Sequence, residues 1–245
     1  MSIRALAIET SSRLGSVALA EDGNTLLQDA FPHGLSGGFA FGAGGVAFGQ
    51  HAARIIPAID ALCGQLQWTP RDIREIYVSA GPGSFTGLRI GITLAKTLAW
   101  ATGAALVAVP SVRVLADNAP ADAKNVVIVL DAKRDQIFTA SFARLGDDWT
   151  PLQPAQLCTL PQILAKSPRP VHLLGEGIPY HRKFIPASDR EIHIADESLW
   201  RPQARIVASL GWQMAREGNF TDALALIPIY IRRPEAEEKL DGPSL

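Results

Sequence analysis

One pattern of strands and turns occurs twice in this sequence, about half a chain apart. An apolar run at 3–8 closes on Glu9, a polar turn follows, and a second apolar run spans 16–20. The same order of strand, acid, polar turn and strand recurs within 126–143, with Asp131 as the acid. Self-similarity of this kind indicates duplication of one supersecondary unit. It predicts two subdomains of similar plan, each built around a meander of strands.

Helix patterns accompany the strands. Apolar residues recur at three- and four-residue spacing over 54–66 and again over 88–99, which is typical of helices with one buried face. Strands and helices in two similar halves predict an α/β protein with two stacked mixed-sheet subdomains that face a cleft. We place an N-terminal subdomain at 1–110 and a C-terminal subdomain at 111–245. We expect the helix near 203–217 to pack back on the N-terminal subdomain.

Composition excludes several classes of protein. Of the 245 residues, 47% are hydrophobic and 19% are charged, a balance that allows a real core. The formal net charge of -1 argues against a chain whose main role is to bind nucleic acid by itself, although it leaves a local basic patch open. Cys63 and Cys158 are too few and too far apart for a disulfide framework or a zinc site. The N-terminus is typical of a strand rather than a signal peptide, and we expect a cytoplasmic protein with no membrane association.

A glycine-rich stretch interrupts the first half. Seven of the 21 glycines lie between Gly34 and Gly49, interleaved with Phe39, Phe41 and Phe48. This density costs too much backbone entropy for a regular element. A loop is the simplest interpretation, and a contact surface made of aromatic and glycine residues is the alternative.

A longer motif resembles the signature of the TsaB/YeaZ family, with supporting matches in order over most of the chain. The segments are GPGSFTGLRIG at 81–91, AK at 95–96, LA at 98–99, IETSS at 8–12 and PIYIR at 228–232. The sequence departs from this family at Glu9, where Asp is usual. It also departs at the Phe/Gly-rich stretch, which replaces a more polar lead-in to the first helix.

The resemblance implies an actin-like fold of the ASKHA, ribonuclease H-like type and a part in making threonylcarbamoyladenosine next to the anticodon of tRNA. It implies a non-catalytic scaffold that binds a metal-bearing, homologous TsaD-like transferase and, with it, a TsaE-like ATPase. Contact with tRNA would be made through that complex. We expect no cofactor on this chain alone, ATP or ADP only at the complex interface, and a homodimer when the chain is isolated.

The resemblance also favours the two N-terminal helices as the interface with the TsaD-like partner. Small residues such as Gly91 and Ala95 would let a neighbouring helix approach closely, although this face could instead pack only on its own sheet. The candidate interface residues are Arg54, Ile55, Ala58, Ile59, Leu62, Leu88, Gly91, Ile92, Ala95 and Ala99. Arg89 and Lys96 are candidates for contact with tRNA or with an acidic partner surface.

An actin-like small-molecule kinase is the main alternative function. Such kinases bind phosphates on hairpin turns and on a glycine loop before a helix. The candidate phosphate contacts are Ser11, Ser12, Gly81, Gly83, Ser84 and Thr86. The first turn lacks a glycine-rich approach, and no Walker pattern is present. Ser84 and Thr86 are more simply interpreted as caps of the following helix.

A metallopeptidase is the third candidate. In the catalytic relatives of this family, a His-x-x-x-His pair just beyond the glycine motif binds the metal, because residues four apart share a helix face. The corresponding segment, 109–115, contains no histidine, and no two of the five histidines lie four apart. Ser84 is not in a Gly-x-Ser-x-Gly elbow. The sequence therefore predicts no catalytic or metal-binding residue.

Overall fold

Two β-sheets with matching strand orders form the framework of the protein. The computed structural model describes residues 2–31 and 49–230, so nearly all of the glycine-rich stretch and the tail after Tyr230 lie outside the described residues. The first sheet has the order β3-β2-β1-β4-β5. Its strands are β1 (Arg4–Glu9), β2 (Gly15–Glu21), β3 (Asn24–Phe31), β4 (Glu75–Gly81) and β5 (Ala105–Pro110). Strands β1 to β3 form an antiparallel meander, and β4 and β5 continue parallel to β1.

The second sheet repeats this plan. Its strands are β6 (Asn125–Ile128), β7 (Leu130–Asp131), β8 (Ile137–Leu145), β9 (Asp148–Cys158), β10 (Val171–Leu174) and β11 (Ile192–Ile194). Strands β6 and β7 lie end to end beside β8, and β9 is the outer antiparallel strand. On the other side, β10 and β11 run parallel to β6. The repeat predicted from the sequence therefore extends to the order and direction of every strand, and the predicted pair of mixed sheets is confirmed.

Three of the six helices of the described chain are long. The helices are α1 (Gly49–Leu66), α2 (Phe85–Thr102), α3 (Ser111–Ala116), α4 (Leu160–Leu164), α5 (Ile178–His181) and α6 (Ala204–Arg216). Short 3-10 turns occupy Pro70–Asp72, Arg182–Phe184 and Glu197–Leu199. Within the described part of the chain, no helix has the length and apolar character needed to cross a membrane.

The two faces of the first sheet carry side chains of different size. Leu6 and Ile8 of β1 pack into the cluster that contains the buried residues of α1 and α2. Ala5 and Ala7 pack into the cluster that contains α6. Because side chains alternate across a strand, the small residues all reach one face and leave room for α6 to lie close to the sheet. The sheet is thus covered by α1 and α2 on one side and by α6 on the other.

The buried carboxyl group of Glu75 fixes the end of α6 to the sheet. Arg216, the last residue of α6, donates a hydrogen bond to Glu75 of β4, and Glu75 also accepts one from the hydroxyl of Tyr77. Burial and the bond to Glu75 raise the pKa of Tyr77 far above its ordinary value. Tyr77 therefore stays protonated and remains a donor to Glu75.

Two elements differ from what the sequence pattern suggests. Strand β9 is not predicted, because Pro151 and Pro154 interrupt it. It is an outer strand of the described sheet, where missing backbone donors are tolerated. Helix α1 starts at Gly49, earlier than the apolar spacing indicates, so that Pro57 lies inside the helix rather than in its first turn.

Two glycine-to-alanine substitutions should have opposite effects on stability. An ideal Cβ on Gly211 of α6 would lie 2.2 Å from the ring of Tyr77. We therefore expect Gly211→Ala to lower the free energy of unfolding by about 1–3 kcal/mol through overpacking. An ideal Cβ on Gly64 of α1 would have no neighbouring atom within 4 Å. Because alanine favours the helix more than glycine does, Gly64→Ala should raise the free energy of unfolding by about 0.5–1 kcal/mol. Urea denaturation measures both, and a stabilising Gly211→Ala would show that α6 is free to move away from the sheet.

Candidate functional site

A polar cleft lies between the two sheets, at the carboxyl ends of β1, β4 and β7. Crevices outside the carboxyl ends of strands are the usual ligand sites of open α/β sheets. The cavity has a volume of about 180 Å³. Its polar lining comes from both halves of the chain: Ser11, Ser12, Arg13, Gly83 and Ser84 from the first, and Asp131, Lys133, Glu176 and Tyr180 from the second.

A buried carboxyl group supports the β1–β2 turn from below. Glu9 is fully buried, and its Oε1 accepts hydrogen bonds from the backbone N of Ser11 at 2.5 Å and from the Ser11 hydroxyl at 2.6 Å. The hydroxyl of Ser79 donates to Oε2. Burial raises the pKa of Glu9, and the bonds from the two serines offset only part of that rise. Glu9 therefore fixes the turn without facing the cleft itself.

The glycine motif lets α2 begin directly against this turn. An ideal Cβ on Gly83 would lie 2.2 Å from the carbonyl oxygen of Ser11, and one on Gly87 would lie 2.0 Å from that of Thr10. The Ser84 backbone N donates to the Ser11 carbonyl at 2.7 Å. The Ser84 hydroxyl accepts from the Gly87 backbone N at 3.1 Å and so caps α2. The motif is thus required for close packing of the backbone, whatever else it does.

The structure brings together four of the six candidate phosphate contacts. Ser11, Ser12, Gly83 and Ser84 all line the cleft. Gly81 is buried below it and donates its backbone N–H to the Ser111 hydroxyl at 3.1 Å. Thr86 is exposed on the first turn of α2 and is not part of the cavity lining. A role in phosphate binding stays a prediction for these residues.

Charged groups of the cleft bond to one another across it. The backbone N of Arg13 donates to Glu176 Oε2 at 3.1 Å, and its Nη2 donates to the Tyr180 hydroxyl at 2.6 Å. Glu176 Oε1 also pairs with Nε of Arg201 at 3.2 Å. The two bonds made by Arg13 join residues more than 160 positions apart and link the β1–β2 turn to the second half of the chain. They hold the two halves together across the cleft.

The acid of the second repeat has different surroundings from that of the first. Asp131 accepts from Lys133 Nζ at 2.6 Å, and its Oδ1 lies 3.1 Å from Nε2 of the buried His181. Burial raises the pKa of Asp131, but the hydrogen bonds from Lys133 and His181 outweigh it and lower the pKa below its ordinary value. The pKa of the acid is therefore raised in the first repeat and lowered in the second.

Most of the candidate interface residues face the chain's own sheet. The buried ones are Ile55, Ala58, Leu62, Leu88, Gly91, Ile92, Ala95 and Ala99, whereas Ile59 is half-buried and Arg54 is exposed. Gly91 lies against β1, because an ideal Cβ there would be 2.2 Å from Thr10 Oγ1. An interface on α1 and α2 stays a prediction. The side chains that a partner could reach lie on the solvent-exposed face of the same two helices, next to the buried face.

That neighbouring face carries two large exposed apolar side chains, which the sequence pattern does not reveal. Ile56 of α1 is 59% exposed and Trp100 of α2 is 85% exposed. The segment 220–230 runs beside α2, and its Leu224 and Ile227 are also largely exposed. The helical period predicts only the side that faces the core, so these residues carry no signal of their own in the sequence.

Hydrogen bonds to its backbone hold the segment 220–230 in place. Lys96 Nζ donates to the carbonyl oxygens of Leu224 and Leu226. The Ile229 backbone N donates to the Ala80 carbonyl at 2.7 Å, next to the glycine motif. Lys96, proposed from the sequence as a contact for tRNA or a partner, is therefore engaged in holding the segment in place.

The described residues offer no cluster suited to a metal. Within 2–31 and 49–230, no group of three or more histidine, cysteine, aspartate or glutamate side chains lies close enough to hold an ion. Cys63 is buried, Cys158 is half-buried, and both are free thiols whose pKa is raised by burial.

Two mixed sheets of duplicated order around a cleft define an actin-like, ribonuclease H-like fold. Two solved structures from Pseudomonas aeruginosa share it, each at 23% identity. One is a protein described as similar to peptidase YEAZ, with a TM-score of 0.74 over 94% of this chain and 100% of that chain. The other is YeaZ, with a TM-score of 0.73 over 93% and 99%. At this identity the likeness shows the fold alone.

Sequence relatives identify the family. The tRNA threonylcarbamoyladenosine biosynthesis protein TsaB of Bacillus subtilis is 33% identical over 194 residues, which cover 78% of this chain and 83% of that protein. The Escherichia coli protein of the same name is 26% identical and covers 98% and 99%. The family model described as "TsaD: tRNA N6-adenosine threonylcarbamoyltransferase" matches residues 43–240. The chain belongs to the TsaB/YeaZ family.

Replacing the buried acid should change how stability depends on pH. The folded-state pKa of Glu9 lies above its ordinary value of 4.5, so the folded chain binds more protons than the unfolded chain above that pH. The wild type should therefore lose stability as pH rises from 4.5 through the folded pKa. Glu9→Gln keeps the acceptor for Ser11 and removes the titration.

The measurement is urea denaturation at several pH values from about 4.5 to about 8, with the exposed Glu217→Gln as control. We expect the free energy of unfolding of Glu9→Gln to rise relative to wild type across this range. Parallel curves for the two proteins would show that Glu9 is ionised in the folded chain at all of these pH values.

Proposed function

We propose that this protein is the non-catalytic scaffold subunit of a complex that makes threonylcarbamoyladenosine in tRNA. The observation that carries the proposal is the match to relatives named tRNA threonylcarbamoyladenosine biosynthesis protein TsaB, which in one case spans 98% of the chain. In this proposal the chain binds and activates a homologous TsaD-like transferase that bears the metal. A TsaE-like ATPase joins the pair, tRNA is contacted through the complex, and the location is the cytoplasm.

The cleft supports a structural use over that of a small-molecule kinase. Its volume of about 180 Å³ is below the range of about 300–1,000 Å³ that is usual for ligand pockets. Arg13, Glu176 and Tyr180 bond to one another across it, so a ligand would have to displace contacts that the chain already makes. ATP or ADP, where the complex uses it, would accordingly bind at the interface between subunits.

The exposed apolar face supports a protein partner. Ile56 and Trp100 lie on the two helices that the family resemblance favours, and Leu224 and Ile227 extend their surface. Exposed apolar side chains that form one patch mark interaction sites, and in this proposal these four form such a patch. A stable interface buries at least about 1,200 Å² in total, which the outer faces of α1 and α2 together with 220–230 are suited to supply. In the isolated chain the same face would form the homodimer.

The first experiment is co-purification of the chain with the TsaD-like protein of the same organism, followed by a tRNA threonylcarbamoylation assay with and without the chain. We expect tight association, and modification that depends on both subunits. Full modification by the TsaD-like protein alone, with no association, would overturn the proposal. Phosphate transfer to a small molecule by the isolated chain would instead favour the kinase.

Single substitutions on the exposed face test where the partner binds. We expect Trp100→Asp and Ile56→Asp each to weaken association about thirtyfold or more, since buried aromatic and apolar anchors dominate interface energies. Both side chains are exposed in the single chain, so the free energy of unfolding should change little.

Leu145→Asp is the matched control. Leu145 is 75% exposed at the end of β8, on the second sheet and away from α1 and α2. It should leave association unchanged, as measured by analytical ultracentrifugation or calorimetry. Equal affinity for all three variants would place the partner elsewhere on the chain.

A further inference from the structure

Exposed cationic side chains lie in the cleft and in the segments beside it, although the whole chain has a net charge of -1. Arg13 and Lys133 line the cleft itself. Five exposed residues, here called the basic rim, are Arg13, Lys133, Arg134, Arg182 and Lys183. They come from three separate segments: the β1–β2 turn, the β7–β8 turn and the 3-10 turn after α5. Neither their spacing in sequence nor the net charge predicts that they meet.

Tyr180 and Asp135 connect the three segments. The ring centroid of Tyr180 lies 5.7 Å from the guanidinium carbon of Arg13 and 5.3 Å from Nζ of Lys133. Nζ of Lys183 lies 3.0 Å from Oδ1 of Asp135 in the β7–β8 turn. The rim is therefore one continuous surface that spans both halves of the protein.

The acids that contact the rim are mostly less exposed than its cations. Asp131 pairs with Lys133, Asp135 pairs with Lys183, and Glu176 accepts from the backbone of Arg13. Asp131 and Glu176 show only 16% and 19% of their side chains to solvent, whereas Lys133 is 76% exposed. Among these eight side chains, the exposed ones are the five cations and one acid, Asp135. Exposed cations in such excess attract polyanions.

The backbone of the β7–β8 turn is also unusual. Lys133, Arg134 and Asp135 have φ angles of 64°, 52° and 56°, so that three successive residues other than glycine adopt the left-handed conformation. Such conformations are costly for residues with a Cβ and concentrate at functional sites. The turn accordingly presents two basic side chains in succession from a fixed position.

We propose that the basic rim binds the phosphate backbone of RNA, and in particular of the tRNA that the complex modifies; this rests on the proposed function. Phosphate contacts come chiefly from Lys and Arg, and a row of them along a cleft suits a ligand with repeated negative charges. The rim residues belong to other segments than the exposed apolar residues of α1, α2 and 220–230, so that in this proposal partner and RNA use different surfaces.

The test compares two pairs of lysines. Lys133→Ala/Lys183→Ala removes two rim charges. Lys124→Ala/Lys166→Ala removes the same net charge from exposed positions just before β6 and before β10. Because β6 and β10 are parallel, their amino ends lie at the same edge of the sheet, opposite the end that leads to the β7–β8 turn. Both double variants thus have equal net charge and differ only in where it is lost.

The readout is fluorescence anisotropy of the full chain with an unmodified tRNA transcript, at salt concentrations from about 50 to about 200 mM. We expect wild-type binding in the range of about 10⁻⁴–10⁻⁶ M, and about three- to tenfold weaker binding by the rim variant. Its plot of log affinity against log salt should be shallower by about 1.5, since each lost phosphate contact removes about 0.7–0.9 from the slope. The Lys124→Ala/Lys166→Ala protein should match the wild type.

A second rim variant distinguishes the loss of charge from a defect in folding. Lys133 pairs with Asp131, so its loss could disturb the turn. Arg182→Ala/Lys183→Ala leaves that pair intact and should show the same loss of affinity and of slope. Circular dichroism and thermal unfolding of each variant confirm that the fold is kept.

Measurements in the complex separate this proposal from the proposed function. With the TsaD-like partner present, rim variants should associate normally and raise the KM for tRNA without lowering kcat. Equal salt slopes for rim and control variants would overturn the rim proposal, even if the chain activates the partner. Unchanged tRNA binding combined with loss of the TsaE-like ATPase would also overturn it and make the rim a protein-binding surface. A wild-type chain that binds tRNA through the rim but fails to promote modification would contradict only the proposed function.

Discussion

The contact between the glycine motif and the β1–β2 turn is the constraint on which the rest of the structure depends. Gly83 and Gly87 approach the carbonyl oxygens of Ser11 and Thr10 so closely that no side chain fits between them. This approach sets the start of α2 against the first sheet and brings Ser84 to the cleft. Glu9 supports the turn from within the sheet through its bonds to Ser11. The shape of the cleft therefore follows from this packing.

Duplication explains the framework, and divergence explains what each half does. Both halves place an acid at the end of their first strand, and both sheets have the same order. In the first half the acid is fully buried, which raises its pKa despite the hydrogen bonds from two serines. In the second, hydrogen bonds from Lys133 and His181 lower the pKa of Asp131 in spite of its burial. The first acid thus serves packing, whereas the second organises a charged turn at the cleft mouth.

The sequence predicts the two sheets, the helices at 54–66 and 88–99 and the family, because apolar periodicity and an ordered set of motifs are local signals. It does not show which face of α2 is free. The small residues Gly91 and Ala95 could pack against a partner helix or against the chain's own sheet. The close approach of Gly91 to Thr10 shows that this face of α2 packs against the sheet. Strand β9 is missed because its prolines oppose the pattern of a strand. The basic rim is missed because its members are brought together by the fold.

The placement of α6 has a consequence for the order in which the chain is made. The alanine-lined face of the first sheet is covered by residues 204–216, which leave the ribosome long after β1 to β5. The first sheet is therefore left with one face open while the whole of the second is synthesised. A nascent chain that stalls before α6 exposes that face, and with it a surface ready for chaperones or for misassembly. Helix α6 completes the cover of the first sheet, so that the first half is finished only after the second sheet has been made.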